Sequence, residues 1–334
     1  MNVVTPAFKY NNFPIVMETS LSYFPHLCVA LQSIVENSNP CNNYDILILS
    51  NEVGDKELAE LKDFYRLDNF SIRCIDPSPV VAPFIETAKY DYLNLNYFRL
   101  ALPWILSMYA KVVNLGSDIL VRRDIAEIFS AVDSKEFCFA GVTDYGYLGK
   151  LRREISQNEL DLRCPNFYIN ADVLVINLER IRNTRRIEDV LEIWQTRYLR
   201  HAEQDAISMA FQNEICLIDD RWNVFAPGME TEETIRRAGT EIARSWERNI
   251  EDAFILHYAG EPKPWKREKT PKEKVWWETA IRSPQFMQIE SGNTRRRGCL
   301  STLIPKRSAI RAIIKRCVPF GSRLWIALKK FDKM

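Results

Sequence analysis

The sequence predicts an α/β fold, in which a mixed, mostly parallel β-sheet carries helices on both faces and is followed by a basic amphipathic tail. Three observations lead to this prediction. Short apolar runs alternate with helical patterns through the first half of the 334-residue chain. These runs are almost continuously apolar, which is typical of strands that are buried on both faces of a sheet. Lysine and arginine accumulate at the C-terminus, where acids are rare.

Strands and helices follow each other in regular order in the first half. Continuous or alternating apolar patterns predict strands, and apolar residues three and four apart predict helices. The predicted strands are residues 13–19 (FPIVMET), 44–50 (YDILILS), 70–76 (FSIRCID) and 111–115 (KVVNL). The predicted helices are residues 27–38, 56–67 and 96–106, the last of them interrupted by Pro103.

The second half of the chain has a more mixed pattern. The predicted strands there are residues 137–142 (FCFAGV), 170–178 (NADVLVINL) and 254–260 (FILHYAG). Helical spacing covers residues 187–198 and 204–211. Because the elements no longer alternate strictly, we expect the sheet to be mixed and not purely parallel.

The composition is that of an ordinary globular protein. Apolar residues make up 46% of the chain and the net charge is only +1, which excludes a disordered class. No run approaches the roughly 18 apolar residues that span a membrane, and the N-terminus lacks the pattern of a signal peptide. The eight cysteines show no C-x-x-C spacing, which argues against a zinc site and favours free thiols in a reducing cytosol.

Polar side chains stand just beyond the predicted strands, where open α/β sheets bind their ligands. Asp118 follows residues 111–115, and His257 lies in the last predicted strand. Mg²⁺ and Mn²⁺ both prefer oxygen ligands, and Mn²⁺ also accepts an imidazole nitrogen. A carboxylate and a neutral imidazole, completed by diphosphate oxygens, therefore suit Mn²⁺. Each could equally be structural, Asp118 as a turn or helix cap and His257 as a hydrogen-bonding group. Ser20, Ser22 and Asp144 follow other predicted strands.

The segment after His257 has the composition of a phosphate-binding loop. Gly260 permits a close approach of the backbone to a ligand, and Lys263 offers a point positive charge. Pro262 and Pro264 stiffen the chain on either side of that lysine. The alternative is a proline-rich surface turn with a solvated lysine.

Five longer segments carry a resemblance to a known family. They are FPIVMETSLSYFPHLCVALQSIVENS, NYFRLALPWILSMYAKVVNLGSDILVRRDIAEIF, FYINADVLVINLERIR, AEQDAISMAF and HYAGEPKPW. In this order, over roughly residues 13–280, they resemble glycosyltransferase family 8, the retaining enzymes that include bacterial lipooligosaccharide galactosyltransferases and glycogenins. The GSD of the second segment falls on the family's D-x-D metal motif. The last segment is similar to its H-Y-x-G-x-x-K-P-W signature.

The resemblance implies a GT-A (Rossmann-like) domain over residues 13–283, a UDP-sugar donor and Mn²⁺ (or Mg²⁺) as cofactor. It implies that Asp118 and His257 bind the metal and that Lys263, with Gly260 beside it, binds the diphosphate. The positions implied to bind the donor are Ser20, Ser22, Arg99, Asp144 and Asn170. The positions implied to be catalytic are Glu203, Gln204 and Asp205. Retention by covalent double displacement and by front-face attack both stay open.

The chain departs from the family pattern at three places. Gly116 replaces the first carboxylate of the metal motif, and serines stand at positions 20 and 22, where the family places an aspartate that contacts the nucleotide. Asp172 replaces the glycine of the third segment and adds a side chain in a strand that the family keeps open. From the sequence alone, we expect Gly116→Asp to restore a charge beside the metal.

The basic tail covers residues 294–334, which contain twelve lysines and arginines against the single acid Asp332. Residues 308–318 place isoleucines on one helical face and basic residues on the other, and Trp325 adds an aromatic side chain. Such a segment suits an anionic membrane surface. Nucleic acid is the rival partner, but the tail lacks a nucleic-acid-binding module, and we expect none. A tail packed on the acidic remainder of the chain is the structural alternative.

Together these observations predict a retaining glycosyltransferase at the cytoplasmic face of the inner membrane. It would move a hexose from a UDP-sugar to a saccharide or lipid-linked glycan, in lipopolysaccharide or surface-glycan synthesis. The alternative is a catalytically weakened homologue that binds nucleotide or glycan as an assembly partner, which Gly116 and Ser20 favour. A surface adaptor that uses only its tail would leave the sugar-site residues unexplained.

Overall fold

A computed structural model describes residues 3–85, 98–132, 136–154, 164–196, 201–226, 229–266 and 272–295. Its strands are β1 Asn12–Glu18, β2 Asn43–Leu49, β3 Phe70–Ile75, β4 Lys111–Leu115, β5 Ile119–Val121, β6 Phe139–Thr143, β7 Ile169–Asn177, β8 Ile215–Leu217, β9 Val224–Phe225 and β10 Ile255–His257. Its helices are α1 Phe24–Glu36, α2 Asp55–Tyr65, α3 Ser78–Ile85, α4 Phe98–Ile105, α5 Tyr145–Glu154, α6 Leu178–Thr184, α7 Ile187–Thr196, α8 Ala202–Ala210, α9 Met229–Ala238, α10 Thr240–Asn249, α11 Glu273–Ala280 and α12 Phe286–Arg295.

Seven strands form the main sheet in the order β3-β2-β1-β4-β7-β6-β8. The pairs β1–β2, β1–β4, β2–β3 and β6–β8 are parallel. Strand β7 runs antiparallel to both of its neighbours, β4 and β6. The predicted mixed, mostly parallel sheet is therefore confirmed.

Alternation along the central strands places helices on both faces. Ile15 and Met17 of β1 face one apolar core, which contains residues of α1 and α2. Val16 faces the other core, which contains residues of α4, α6, α7 and α8. Strand β2 divides its side chains in the same way, with Ile46 on the first side and Leu47 on the second. Burial on both faces explains why these strands are apolar at almost every position.

A smaller sheet, with the strand order β5-β10-β9, was not predicted from the sequence. Its strands have three residues or fewer, which is too short for an apolar period to be recognised. The strand predicted at residues 254–260 is correspondingly short, because only Ile255–His257 pair with their neighbours. Its residue Leu256 lies in a third apolar cluster, together with side chains of α10, α11 and α12.

Helix boundaries differ from the predictions by a few residues. Helix α1 begins at Phe24, because Pro25 is tolerated in a first helical turn. Helix α8 begins at Ala202, so that residues 203–205 all lie in its first turn. Helix α4 contains Pro103, as predicted, whereas the start of the predicted helix 96–106 falls outside the described residues.

The predicted amphipathic segments of the tail lie outside the described residues. Helix α12 ends at Arg295, just inside the predicted tail, and the boundaries 13–283 and 294–334 stay predictions. Within the described ranges, no helix is both long and apolar enough to cross a membrane. The six cysteines that the structure describes are free thiols.

Candidate functional site

Polar side chains from several strands meet at one edge of the main sheet. Asp118 follows β4, and Asp144 follows β6. Strand β7 is antiparallel to both, so that its first residues, including Asn170 and Asp172, lie at this same edge. The small sheet adds His257 at the end of β10, where Tyr258 N–H donates to the carbonyl of Asp118.

Asp118, Asp172 and His257 form a cluster of the kind that holds a metal ion. One ligand atom from each residue lies within 4.8 Å of the others. His257 Nε2 is 3.4 Å from Asp118 Oδ1 and 3.4 Å from Asp172 Oδ2. The ring is buried, and Nε2 has no hydrogen-bond partner among the described residues. Two carboxylates and an unpartnered imidazole nitrogen are suitable ligands for Mn²⁺.

The electrostatics of this cluster couple its carboxylates to two cationic groups. Burial disfavours the charged ring of His257, but the neighbouring Asp118 and Asp172 outweigh it and raise its pKa to about 9. Burial also opposes ionisation of Asp118, yet His257 and Lys263 lower its pKa. Asp118 is therefore an anion at neutral pH, and His257 balances its charge with a proton that a bound cation could replace.

Lys263 lies against the cluster and is buried, 8% exposed, which contradicts the solvated surface lysine of the alternative interpretation. Its Nζ is 2.5 Å from Asp118 Oδ2 and donates to the carbonyl of Tyr258 at 2.7 Å. Gly260 has a φ of 69°, and a Cβ there would meet nothing within 4 Å. Glycine suits that left-handed backbone, and the space beside it is open to a ligand.

A second group of buried side chains connects β6, β7 and α8. Gln204 Nε2 donates to Asp144 Oδ2 at 2.9 Å, and Gln204 Oε1 accepts from Ala171 N–H at 3.0 Å. Asn170 Nδ2 also donates to Asp144 Oδ2, at 3.2 Å. These hydrogen bonds fix the positions of the Gln204 amide and the Asp144 carboxylate. The group lies next to the cluster of Asp118, Asp172 and His257, since Asp172 follows Asn170 by two residues on β7.

Arg99 links this group to the cluster. Its guanidinium is buried and contacts Glu18 at 2.7 Å, Glu203 at 3.2 Å and Asp172 at 3.4 Å. Its Nη1 also donates to the carbonyl of Ala171 at 2.5 Å. Burial raises the pKa of Glu203 to about 7, although Arg99 opposes the shift. A solvated helix start is therefore wrong for residues 203–205, all of which are buried.

The three predicted catalytic residues occupy different environments. Glu203 faces Arg99, and Gln204 faces Asp144. Asp205 is fully buried and accepts hydrogen bonds from Tyr168 Oη at 2.6 Å and from the His201 backbone at 2.9 Å. Its carboxylate is thus bonded to the residue before β7 and to the residue before α8, whereas the Gln204 side chain is bonded to Asp144 and to the Ala171 amide.

Ser20 and Ser22 lie in the loop between β1 and α1, with their hydroxyl oxygens 2.9 Å apart. The loop belongs to the same edge of the sheet, since Ser117 Oγ donates to the carbonyl of Glu18 at 3.0 Å. His26, just after the loop, packs on Trp265 with ring centroids 4.1 Å apart. The loop that carries the two serines therefore lies close to the segment after Lys263.

Sequence reasoning missed Glu18 and Asn223 and gave Asp172 no ligand role. Asn223 Oδ1 is 2.9 Å from His257 Nδ1 and therefore orients the ring. A carboxylate at the end of an otherwise apolar strand was a usable signal for Glu18. Asn223 gave none, because it lies in a short 3-10 segment, Asp220–Asn223, between predicted elements.

Comparisons with known proteins show the family and the fold of the chain. The model of glycosyl transferase family 8 matches residues 14–269. The probable galacturonosyltransferase 7 of Arabidopsis thaliana is 26% identical over 250 residues, which are 72% of this chain and 36% of that protein. The apo structure of the bifunctional glycosyltransferase WbbM has a TM-score of 0.79 and 21% identity, over 87% of this chain and 53% of its own.

The galactosyltransferase LgtC, in complex with donor and acceptor sugar analogues, has a TM-score of 0.65 and 20% identity. That similarity covers 80% of this chain and 95% of LgtC. At these identities the likeness to WbbM and LgtC concerns the fold, which is GT-A. The chain spans about a third of the first relative's length and about half of WbbM's.

Proposed function

The chain belongs to glycosyltransferase family 8 and is a glycosyltransferase, and on that premise we propose that it moves a hexose from a UDP-sugar to a saccharide or glycolipid acceptor with retention of configuration. One observation carries the proposal. A metal-type cluster, a buried lysine and a network of buried amides and carboxylates meet at the edge of the sheet where α/β folds bind ligands.

Mn²⁺, or Mg²⁺, is the proposed cofactor. The residues fit such an ion, because the buried Nε2 of His257 has no hydrogen-bond partner within the described residues and faces two carboxylates. Asp118 and His257 would hold the ion, and Asn223 would keep the ring in place. The bound ion would supply positive charge to the diphosphate of the donor as it leaves.

Lys263 would act on the same leaving group. Its ammonium lies against Asp118, so a diphosphate that reaches the metal also reaches this charge. Gly260 leaves open space beside that position, which lets the backbone approach a phosphate. Ser20 and Ser22 offer hydroxyl groups to the nucleotide at the facing loop.

The donor hexose would lie against Arg99, Asp144, Asn170 and Gln204. These side chains are already oriented by hydrogen bonds with one another or with neighbouring strands. Such preorganisation stabilises charge that develops at the anomeric carbon without reorganisation during the reaction. Gln204 is the proposed catalytic side chain, whereas Glu203 would tune Arg99 and Asp205 would hold the start of α8.

The acceptor is proposed to be presented at an anionic membrane surface. The support is the sequence of residues 294–334, in which basic residues alternate with isoleucine, leucine and tryptophan. A lipid-linked saccharide of lipopolysaccharide or surface-glycan synthesis would then reach the site from the cytoplasmic face of the inner membrane.

The test is hydrolysis and transfer with a panel of UDP-hexoses, with and without Mn²⁺, by the full-length protein. We expect slow hydrolysis of one or a few donors that depends on Mn²⁺, and loss of that dependence in Asp118→Asn and His257→Ala. Tight UDP binding without turnover of any donor would instead favour the catalytically weakened homologue. Failure to bind UDP or UDP-sugars would overturn the proposal.

A further inference from the structure

Gly116 and Asp172 are cross-strand neighbours at the end of the β4–β7 pair. The amide of Gly116 donates to the carbonyl of Asp172 at 2.8 Å. A Cβ on Gly116 would lie 3.0 Å from Cβ and 3.1 Å from Cγ of Asp172, and 3.1 Å from Asp118 Oδ1. The side chain of Asp172 therefore occupies the space that a side chain at position 116 would need.

The sequence pattern at these two positions is reversed relative to the family resemblance. In the resemblance described above, a carboxylate of the metal motif falls where this chain has Gly116, and a glycine falls where this chain has Asp172. We propose that the two positions have exchanged roles, so that Asp172 supplies to the divalent cation the carboxylate that position 116 lacks. This inference rests on the metal-dependent function proposed above.

The geometry at Asp172 supports a ligand role. Its Oδ2 lies 3.4 Å from the unpartnered Nε2 of His257, and that nitrogen is equally far from Asp118 Oδ1. Its side chain is about one-third exposed, so a ligand can reach the cation that it would help to hold. Asp172 on β7 and Asp118 after β4 thus both present a carboxylate oxygen to Nε2 of His257.

Asp172 also connects the metal-binding cluster to Arg99. While Oδ2 of Asp172 faces the cluster, its Oδ1 lies 3.4 Å from Nη2 of Arg99. Arg99 in turn contacts Glu203 and the carbonyl of Ala171. Occupancy of the metal site is therefore linked through one carboxylate to the arginine of the proposed sugar pocket.

The inference reverses the expectation for Gly116→Asp. That change places a third carboxylate beside those of Asp172 and Asp118, with contacts tighter than most Cβ positions tolerate. Like charges at such distances repel, and the neighbours must shift to admit the new side chain. Gly116→Asp is expected to restore wild-type metal affinity only when Asp172 is removed at the same time.

The experiment is Mn²⁺ titration calorimetry, without nucleotide, on the full-length protein and seven variants. Asp172→Asn and Asp172→Gly should each weaken Mn²⁺ binding by about tenfold or more, the loss expected for removing one charged ligand contact. Gly116→Asp alone should not tighten it. The double variant Gly116→Asp with Asp172→Gly should bind Mn²⁺ within about threefold of wild type, which is tighter than the sum of its two single changes predicts. Asp118→Asn and His257→Ala remove the other two ligands. Asp219→Asn, at a half-exposed carboxylate bonded to Arg221, is the matched control.

The outcomes separate this inference from the proposed function. If Asp118→Asn and His257→Ala lose Mn²⁺ while Asp172→Asn binds like wild type, the exchange is wrong and the metal-dependent function stands. If wild type binds neither Mn²⁺ nor Mg²⁺, whether UDP is absent or present, both are overturned. Thermal unfolding is measured for each variant, and the nearly isosteric Asp172→Asn decides the question if Gly116→Asp does not fold.

Discussion

Nδ1 of His257 lies 2.9 Å from Oδ1 of Asn223, and Asn223 Nδ2 donates to Asn170 Oδ1 at the same distance. Because the amide oxygen of Asn223 can only accept, Nδ1 carries a proton whether or not Nε2 does. When a cation replaces the proton on Nε2, the lone pair of that nitrogen is directed between Asp118 and Asp172. The amide thus selects the tautomer that can bind a cation. It also connects the imidazole to β7 through Asn170.

We predict that Asn223→Ala weakens Mn²⁺ binding while the protein stays folded. Loss of a partner that orients a metal-binding histidine lowers metal affinity by about 10–100-fold. Calorimetry at constant pH measures the change. Asn69→Ala is the control, since Asn69 also donates through its side chain, to the Asn42 carbonyl, but precedes β3 at the other end of the sheet. Equal affinities of Asn223→Ala and wild type would show that the ring needs no such partner.

We predict that Gln204→Ala lowers the rate of donor hydrolysis by at least about tenfold, because one preorganised amide next to developing charge contributes a few kcal/mol. The change removes the partner of Asp144 Oδ2 and of the Ala171 amide. Donor binding should change less than turnover. Steady-state kinetics on the donor identified by the hydrolysis panel separates the two effects. An unchanged turnover rate would exclude a catalytic role for this amide.

The adjacent Asp205 provides a contrast. Its carboxylate accepts from Tyr168 and from the His201 amide in a fully buried position. Asp205→Asn keeps the size but replaces an acceptor oxygen with a donor, which leaves one buried partner unsatisfied. We predict a fall in melting temperature, measured by calorimetry. At a temperature about 20 °C below the melting transition of the variant, we expect its turnover rate to be reduced by less than about threefold. A stable variant without turnover would return Asp205 to the list of catalytic side chains.

The central strands could be predicted from the sequence because their burial on both faces leaves an apolar pattern within a few consecutive residues. Strand β4 has the predicted bounds, Lys111–Leu115, and β1 and β2 differ from the predictions by only a residue or so. Each of these strands has four to six consecutive buried residues, and most of these residues are apolar. Strands β5 and β9 escaped prediction because they have three and two residues, and only their pairing with β10 makes them strands.

Candidate site residues could be named from the sequence where they lie in segments that resemble the family. The contact between residues of two paired strands could not be predicted in this way. Asp118 and His257, far apart in sequence, come within 3.4 Å of each other, and their role as metal ligands stays a prediction. The ligand position of Asp172 depends on the antiparallel β4–β7 pairing, which joins strands that are not consecutive in the chain. The sequence shows that glycine and aspartate occupy positions 116 and 172, but not that the two positions share one space.

We predict that removing residues 296–334 moves the protein from vesicles to solution. The deletion keeps every described residue of α12, Phe286–Arg295. Each basic residue near an anionic surface contributes on the order of 1 kcal/mol at low ionic strength. Sedimentation with vesicles containing phosphatidylglycerol measures binding at low and high salt, and neutral phosphatidylcholine vesicles are the control. Equal partition of the full-length and truncated proteins would contradict a membrane role of the tail.

Glu203 gives the stability of the protein a predicted pH dependence. Burial raises its pKa from 4.5 to about 7, while Arg99 opposes the shift and Asp172 and Glu18 add to it. The folded protein therefore holds this proton more tightly than the unfolded chain does. The resulting stabilisation is fully present below about pH 4.5, decreases as the pH rises, and is lost above the folded pKa of about 7.

The variant that isolates this contribution is Glu203→Gln, which resembles the protonated side chain and does not titrate. A shift of this size corresponds to a difference of on the order of 3 kcal/mol in the free energy of unfolding. We predict that the variant and wild type unfold with similar free energies near pH 5, and that the variant is the more stable protein at pH 8. Urea denaturation at both pH values measures the difference, in which groups common to both proteins, such as His257, cancel. A difference that stays the same from pH 5 to pH 8 would mean that Glu203 ionises in the folded protein as readily as in the unfolded chain, and that Arg99 compensates fully for its burial.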